Sequence, residues 1–203
     1  FSANNSHWIV DSYLVALTAF VIVGGRIGDR YGRRRAFAWG SVVFSIGCLM
    51  SAVSNGPILM LVGRVLQGIG AGLMQPTGLA IVSSTYGPEN RGRALGTVIG
   101  ISSAFLAVGP IVGGAFVDGP GWRAIYILPP IIALASAGLA LFVVRRGTPD
   151  TGRSLDLVGS LLLAGALTTI LVALTEGPTD GWSNPWVIAY VVVGVALAVA
   201  LVL

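Results

Sequence analysis

Gly25-Arg26-Ile27-Gly28-Asp29-Arg30-Tyr31-Gly32-Arg33-Arg34-Arg35 decides how the rest of this chain is read. It carries five arginines and is flanked by two apolar runs, each long enough to cross a bilayer. A soluble domain has no reason to bracket so much charge in this way. A membrane protein does, because cationic loops are retained on the cytoplasmic side. The stretch is therefore expected to be a short basic loop between two membrane-spanning helices.

Composition agrees. The 203 residues are 55% hydrophobic and only 10% charged, with a mean hydropathy of +0.87. A soluble surface would be starved of charge at that level, so the expected solvent is lipid. All twelve basic residues are arginine. They gather in three loops rather than over one polar face, so the pI of about 9.8 reads as a topology signal and no nucleic-acid partner is expected. Cys48 is the only cysteine, which leaves no disulfide or thiolate metal site within the chain. Phe1 is not an initiator and Val199 to Leu203 end inside an apolar run. The chain is accordingly expected to be an internal piece of a longer membrane protein.

Seven apolar stretches, at 7–24, 36–54, 57–83, 94–117, 124–144, 157–175 and 186–203, are each on the scale of the roughly 20 residues that span a bilayer as helix. None alternates with the period of two that a barrel strand needs, and lipid leaves helix as the default. Turn residues separate them: Asn55-Gly56-Pro57, Gly87-Pro88, Gly119-Pro120-Gly121, Gly147-Thr148-Pro149 and Glu176-Gly177-Pro178. The first, third and fifth connections hold Arg26, Arg30, Arg33, Arg34, Arg35, Arg91, Arg93, Arg145, Arg146 and Arg153; the even ones hold Arg123 beside Asp118, Glu176 and Asp180. That imbalance places the odd connections in the cytoplasm, so the chain starts outside and ends inside.

With these residues in view, the basic stretch resembles the conserved loop of the major facilitator superfamily, G-x-L-a-D-r-x-G-r-k-x. Gly25, Asp29, Arg30, Gly32, Arg33 and Arg34 match; Ile27 and Gly28 depart mildly. The glycines suit a tight turn close under a bundle, and Asp29 can accept hydrogen bonds or sit at a helix N-terminus. The resemblance implies a latch that forms and breaks as two halves rock. The third span holds Gly63-Arg64-Val65-Leu66-Gln67-Gly68-Ile69-Gly70-Ala71-Gly72, similar to the R-x-x-q-G-x-g-a motif of proton-coupled members. Spacings of three, seven and eleven put Gln67, Ala71 and Gln75 on the Arg64 side of the helix, where Gln67 and Gln75 would line a cavity. Arg64 either faces a polar cavity or a carboxylate, or is a structural arginine bonded to carbonyls or reaching the interface. The resemblance assigns it proton coupling. Gly68, Gly70 and Gly72 follow no strand, so close helix packing explains them better than a dinucleotide loop does.

Gly109-Pro110-Ile111-Val112-Gly113-Gly114 resembles the G-P-x-x-G-G core of the superfamily's antiporters, with Phe105 standing where a further glycine is usual. Pro110 interrupts the backbone ladder, and Gly109, Gly113 and Gly114 would let a neighbour slide past. Trp8-Ile9-Val10-Asp11-Ser12-Tyr13 and the two spans after a short linker resemble the fourteen-span drug:proton antiporter branch. Asp11 has two readings: a group that takes up a proton or attracts a cation, or a solvated side chain in the outer mouth beside His7.

These residues together predict an all-α integral membrane bundle of major facilitator type, with seven transmembrane helices, the second to eighth of fourteen. Residues 1–144 would form the N-terminal bundle without its first helix, and 145–203 a cytoplasmic linker with two central helices. The expected function is multi-pass, plasma (inner) membrane export of hydrophobic or cationic drugs in exchange for protons, by a monomer, with no cofactor, metal or enzymatic centre. A dedicated exporter of one metabolite such as an antibiotic or siderophore, a symporter and a non-transporting sensor of the same fold are the competing functions.

Overall fold

The computed structural model describes residues 7–119, 121–144 and 157–202. Arg145, Arg146 and Arg153, which carry part of the orientation argument, lie outside the described residues. Seven α-helices follow in order: α1 Trp8–Tyr31, α2 Arg33–Ala52, α3 Pro57–Thr85, α4 Pro88–Asp118, α5 Leu128–Val143, α6 Leu157–Asp180 and α7 Pro185–Val202, with a short 3-10 helix, Trp122–Tyr126, before α5. By length and composition, six helical stretches can cross a membrane; Pro185–Leu201 is shorter. The protein is all-helical and multi-pass, as its sequence predicts.

Three predicted loops are partly or largely helix. α1 runs on through Arg26 and Arg30 to Tyr31, α2 restarts at Arg33, and only Gly32, at φ 95°, breaks the path. Likewise α6 continues past Thr175 to Asp180, taking Glu176 into the helix, and α4 begins at Pro88, so Arg91 and Arg93 lie in its opening turns. The reason is common to all three. Hydropathy marks where lipid begins, whereas a helix ends where its backbone bonding ends, and polar residues prolong it into the interface.

α3 is the centre of the bundle, packed against α2 on one side and α1 on another. Its glycines make both contacts possible. A Cβ on Gly63 would meet Ser51 Oγ at 2.5 Å, and one on Gly70 would meet the Phe44 backbone of α2. One on Gly68 would meet the Tyr13 carbonyl at 2.5 Å, and one on Gly72 would lie 2.9 Å from Phe20 on α1. α2 answers with Gly40 and Gly47, seven residues apart, which face Gly70 and Gly63. Close approach of this kind supplies the packing that hydrophobic expulsion cannot supply in lipid.

The buried side chains are correspondingly small: Ala16, Ala36, Ala38, Ala52, Ser41, Ser45 and Ser51 among them. The large apolar groups point outward, with Ile58, Leu106 and Phe142 mostly exposed. α5 packs on α2, α6 on α1 and α7 on α6. α4 meets α3 and the 3-10 helix and has no buried residue.

Candidate functional site: an arginine held across three helices

Arg64 begins the third turn of α3, behind Gly63, whose missing side chain lets α3 close on Ser51 of α2. Its Nε donates to the Ile9 carbonyl of α1 at 2.6 Å, and its Nη1 donates to Gln67 Oε1 at 2.7 Å. The guanidinium also lies over the Tyr13 ring, 4.6 Å from its centroid. Ile9 and Tyr13 are four residues apart and so share one face of α1. Gln67 passes the connection on: its Nε2 donates to Ser51 Oγ at 3.1 Å. Gln67 is 2% exposed and Ser51 fully buried, so this network joins α1, α3 and α2 away from water.

Chemically the arrangement keeps a permanent cation inside an apolar span. Placing arginine at depth costs on the order of 2.5 to 3.5 kcal/mol. Hydrogen bonds to a charged group return about 1.5 to 3 kcal/mol each, so the two bonds and the ring contact offset the cost without a carboxylate. Among the described residues no ion pair joins Asp11 to Arg64; Asp11 is half-buried on α1. Of the readings open for Arg64, carbonyl and amide contacts describe its partners here. Gln75, about three turns further along α3, is exposed.

The basic stretch lies at the opposite end of α1. Asp29 pairs with Arg33 across the Gly32 break at 3.5 Å, both largely exposed. Arg33 Nη1 donates to the Ala80 carbonyl of α3 at 3.2 Å. Arg34 Nη1 donates to the carbonyls of Leu141 and Val144 at 3.0 and 3.1 Å, where the end of α5 leaves acceptors unpaired and partial negative charge. Gly25 and Gly28 lie beneath α3: a Cβ on Gly25 would stand 3.7 Å from Pro76, and one on Gly28 would strike Thr77 at 2.5 Å. Arg30 lies by the Tyr31 ring, 5.9 Å from its centroid. Thus the segment joins four helices through one turn.

α4 is different. Where a Cβ would stand on Gly109, Gly113 or Gly114, no atom lies within 4 Å. Pro110 lies within a continuous helix, and Gly109 to Val112 are exposed.

Sequence reasoning did not find Tyr13 or the Ile9 carbonyl as partners of Arg64, or Ser51 as the partner of Gln67, because each comes from another helix. Arg123 was also more than a stray outer charge. Its Nη2 donates to the Ser54 carbonyl and Asn55 Oδ1 at 3.1 Å each, and its guanidinium lies 4.5 Å from the Trp122 ring centroid. It secures the end of α2.

A bundle of closely packed apolar helices with a cation fixed in its interior is the architecture of a multi-pass membrane protein. The chain belongs to the Major Facilitator Superfamily, whose model matches residues 1–203. It is 34% identical over 172 residues to the Multidrug resistance protein B homolog of Mycobacterium tuberculosis (strain CDC 1551 / Oshkosh), covering 84% of this chain and 32% of that protein. It is also 34% identical over 173 residues to the Tetracenomycin C resistance and export protein of Streptomyces glaucescens, again covering 84% and 32%. The chain thus spans about a third of the length of these relatives. The fold is similar to that of the POT family transporter PepTSo, solved in meso, with a TM-score of 0.65 at 16% identity, over 98% of this chain and 43% of the other.

Proposed function

We propose that the protein of which this chain forms part exports hydrophobic or cationic drugs in exchange for protons, by alternating access. The observation that carries this reading is the Arg64 guanidinium, held in an apolar span by α1 and α3 with no carboxylate paired to it among the described residues. A fixed positive charge there favours deprotonation of any acid that approaches, which is what coupling to a proton requires. Asp11, half-buried on the helix that carries Ile9 and Tyr13, is the acid we assign to proton binding in this chain. Gln67 orients Arg64, and Gln75 faces the substrate path.

The basic segment, with Gly25, Asp29, Arg30, Gly32, Arg33 and Arg34, acts in this proposal as the latch at the cytoplasmic end of the bundle. Its bonds to α3 and α5 are exposed, so they exchange readily with water when the helices move. The bare face of α4 around Gly109, Pro110, Gly113 and Gly114 is the surface past which another part of the transporter slides. Residues 1–144 are the bundle, and 145–203 join it to the remainder. The protein works as a monomer in the plasma membrane.

Both relatives described above bear resistance names, and one of them names a single compound, tetracenomycin C. That favours, as a second reading, an exporter dedicated to one metabolite. Everted membrane vesicles carrying the intact protein separate the two. Proton-gradient-driven uptake of a fluorescent lipophilic cation, abolished by Arg64→Ala with expression unchanged, supports drug:proton antiport. Absence of cation movement by well-folded protein would move the assignment to the dedicated exporter.

A further inference from the structure

His7 and Glu176 lie outside the network around Arg64. They come together only because α6 continues through Glu176 and packs on α1. His7 Nε2 stands 3.5 Å from Glu176 Oε1, with the two side chains 33% and 14% exposed. Both atoms are buried, and neither has a hydrogen-bond partner within 3.5 Å at good geometry. The Trp8 ring stands 5.8 Å from the imidazole, tilted by 37°.

Two such atoms cannot share a dry contact while both present lone pairs. An imidazole nitrogen without its proton and a carboxylate oxygen are both acceptors, and burial strengthens their repulsion. The neutral tautomer with its proton on Nε2 turns the contact into an N–H donor facing an acceptor, and a second proton, on Nδ1, makes the imidazole cationic. With the imidazole doubly protonated, the bond is charge-assisted and about twice as strong as a neutral one.

We propose that His7 and Glu176 form a proton-binding site that ties the start of α1 to the end of α6. Uptake forms an N–H bond on the imidazole, and release returns that proton to water through its exposed edge. Histidine is the side chain whose ordinary charge change falls between about pH 5 and 8. The tie therefore tightens as the imidazole gains its proton and loosens as it loses it. Among the described residues, the other ionisable groups at this end of the packed helices are few. Asp11 and Tyr13 lie on α1, Arg64 on α3 turned to Ile9 and Gln67, and Asp180 one turn beyond Glu176 on α6, while α7 brings Tyr190 and no charged side chain. Among the described residues, the cation-forming side chain that faces Glu176 is His7.

The site does not depend on the transport reading, and its test needs neither substrate nor gradient. Val10 on α1 and Leu174 on α6 are both exposed and accept spin labels in a Cys48→Ser background of the intact protein in lipid nanodiscs. Their distance distribution is followed from about pH 8 to about pH 5. The expected result is a shift to shorter, narrower distances at low pH, lost in His7→Gln and separately in Glu176→Gln, and kept in Asp180→Asn. A shift that survives Glu176→Gln, or wild-type protein with no shift, would overturn the site. Each of the two variants tests it alone, so failure of one to fold leaves the other decisive.

Discussion

Arg64 places its two hydrogen bonds in different directions, Nε toward α1 and Nη1 along α3 to Gln67. Lysine cannot reproduce that fork from a single ammonium. Arg64→Lys is therefore expected to lose most gradient-driven flux although it keeps the charge, read as initial rate in vesicles. Wild-type rates in Arg64→Lys would mean that charge alone matters and geometry does not. Gln67→Leu has a different signature. It strands one donor of Arg64 and the buried Ser51 hydroxyl, and each unsatisfied group costs about 1 to 3 kcal/mol. The variant should melt at clearly lower temperature in detergent, and an unchanged melting point would refute the bridging role. The spacing of Arg64 and Gln67 was legible in the sequence because helical geometry places residues three apart side by side. Tyr13 and Ser51 were not, since no local rule predicts which distant helix turns which face to α3.

At the scale of the helix, α3 and α4 carry similar glycine content but opposite surroundings. A side chain at Gly70 would drive into the Phe44 backbone, whereas one at Gly113 meets open space. Gly70→Val should separate α2 from α3 and lower expression and thermal stability together, beyond the roughly 1 to 3 kcal/mol of ordinary overpacking, because backbone cannot yield as a side chain can. Gly113→Val should leave the stability of this chain unchanged. In the intact protein it should slow transport if α4 slides against a neighbour there; equal stability loss in both variants would remove the distinction. The sequence made the glycine-rich faces visible but not which of them are occupied. Span positions were legible to within a few residues, since apolar length is a local property. Helix ends were not: the break narrowed to Gly32, and Glu176 moved from a predicted loop onto the face that meets His7. That single extension created a contact that no motif foretells.

For the whole molecule, orientation rests on where arginine is concentrated, and the structure adds a reason for part of that pattern. Arg33 and Arg34 close α3 and α5 at the same end of the bundle, while Arg123 closes α2 at the other. Some cationic side chains thus serve as helix-end anchors as well as topology signals. The two roles are separable at the turns between helices. Gly56 precedes α3 with extended backbone, Gly87 precedes α4 at φ −62°, and a Cβ on either would meet nothing within 4 Å. Each therefore accepts cysteine without strain, in a background where buried Cys48 is replaced by serine. If the basic segment lies in the cytoplasm, Gly56→Cys reacts with a membrane-impermeant maleimide in intact cells. Gly87→Cys, one span away, reacts only after permeabilisation. The reverse pattern would invert the orientation, and with it the assignment of the latch to the cytoplasmic side. Labelling of both sites from outside would show that α3 does not cross the bilayer, contradicting its 29-residue length, which at about 1.5 Å per residue exceeds the hydrocarbon thickness.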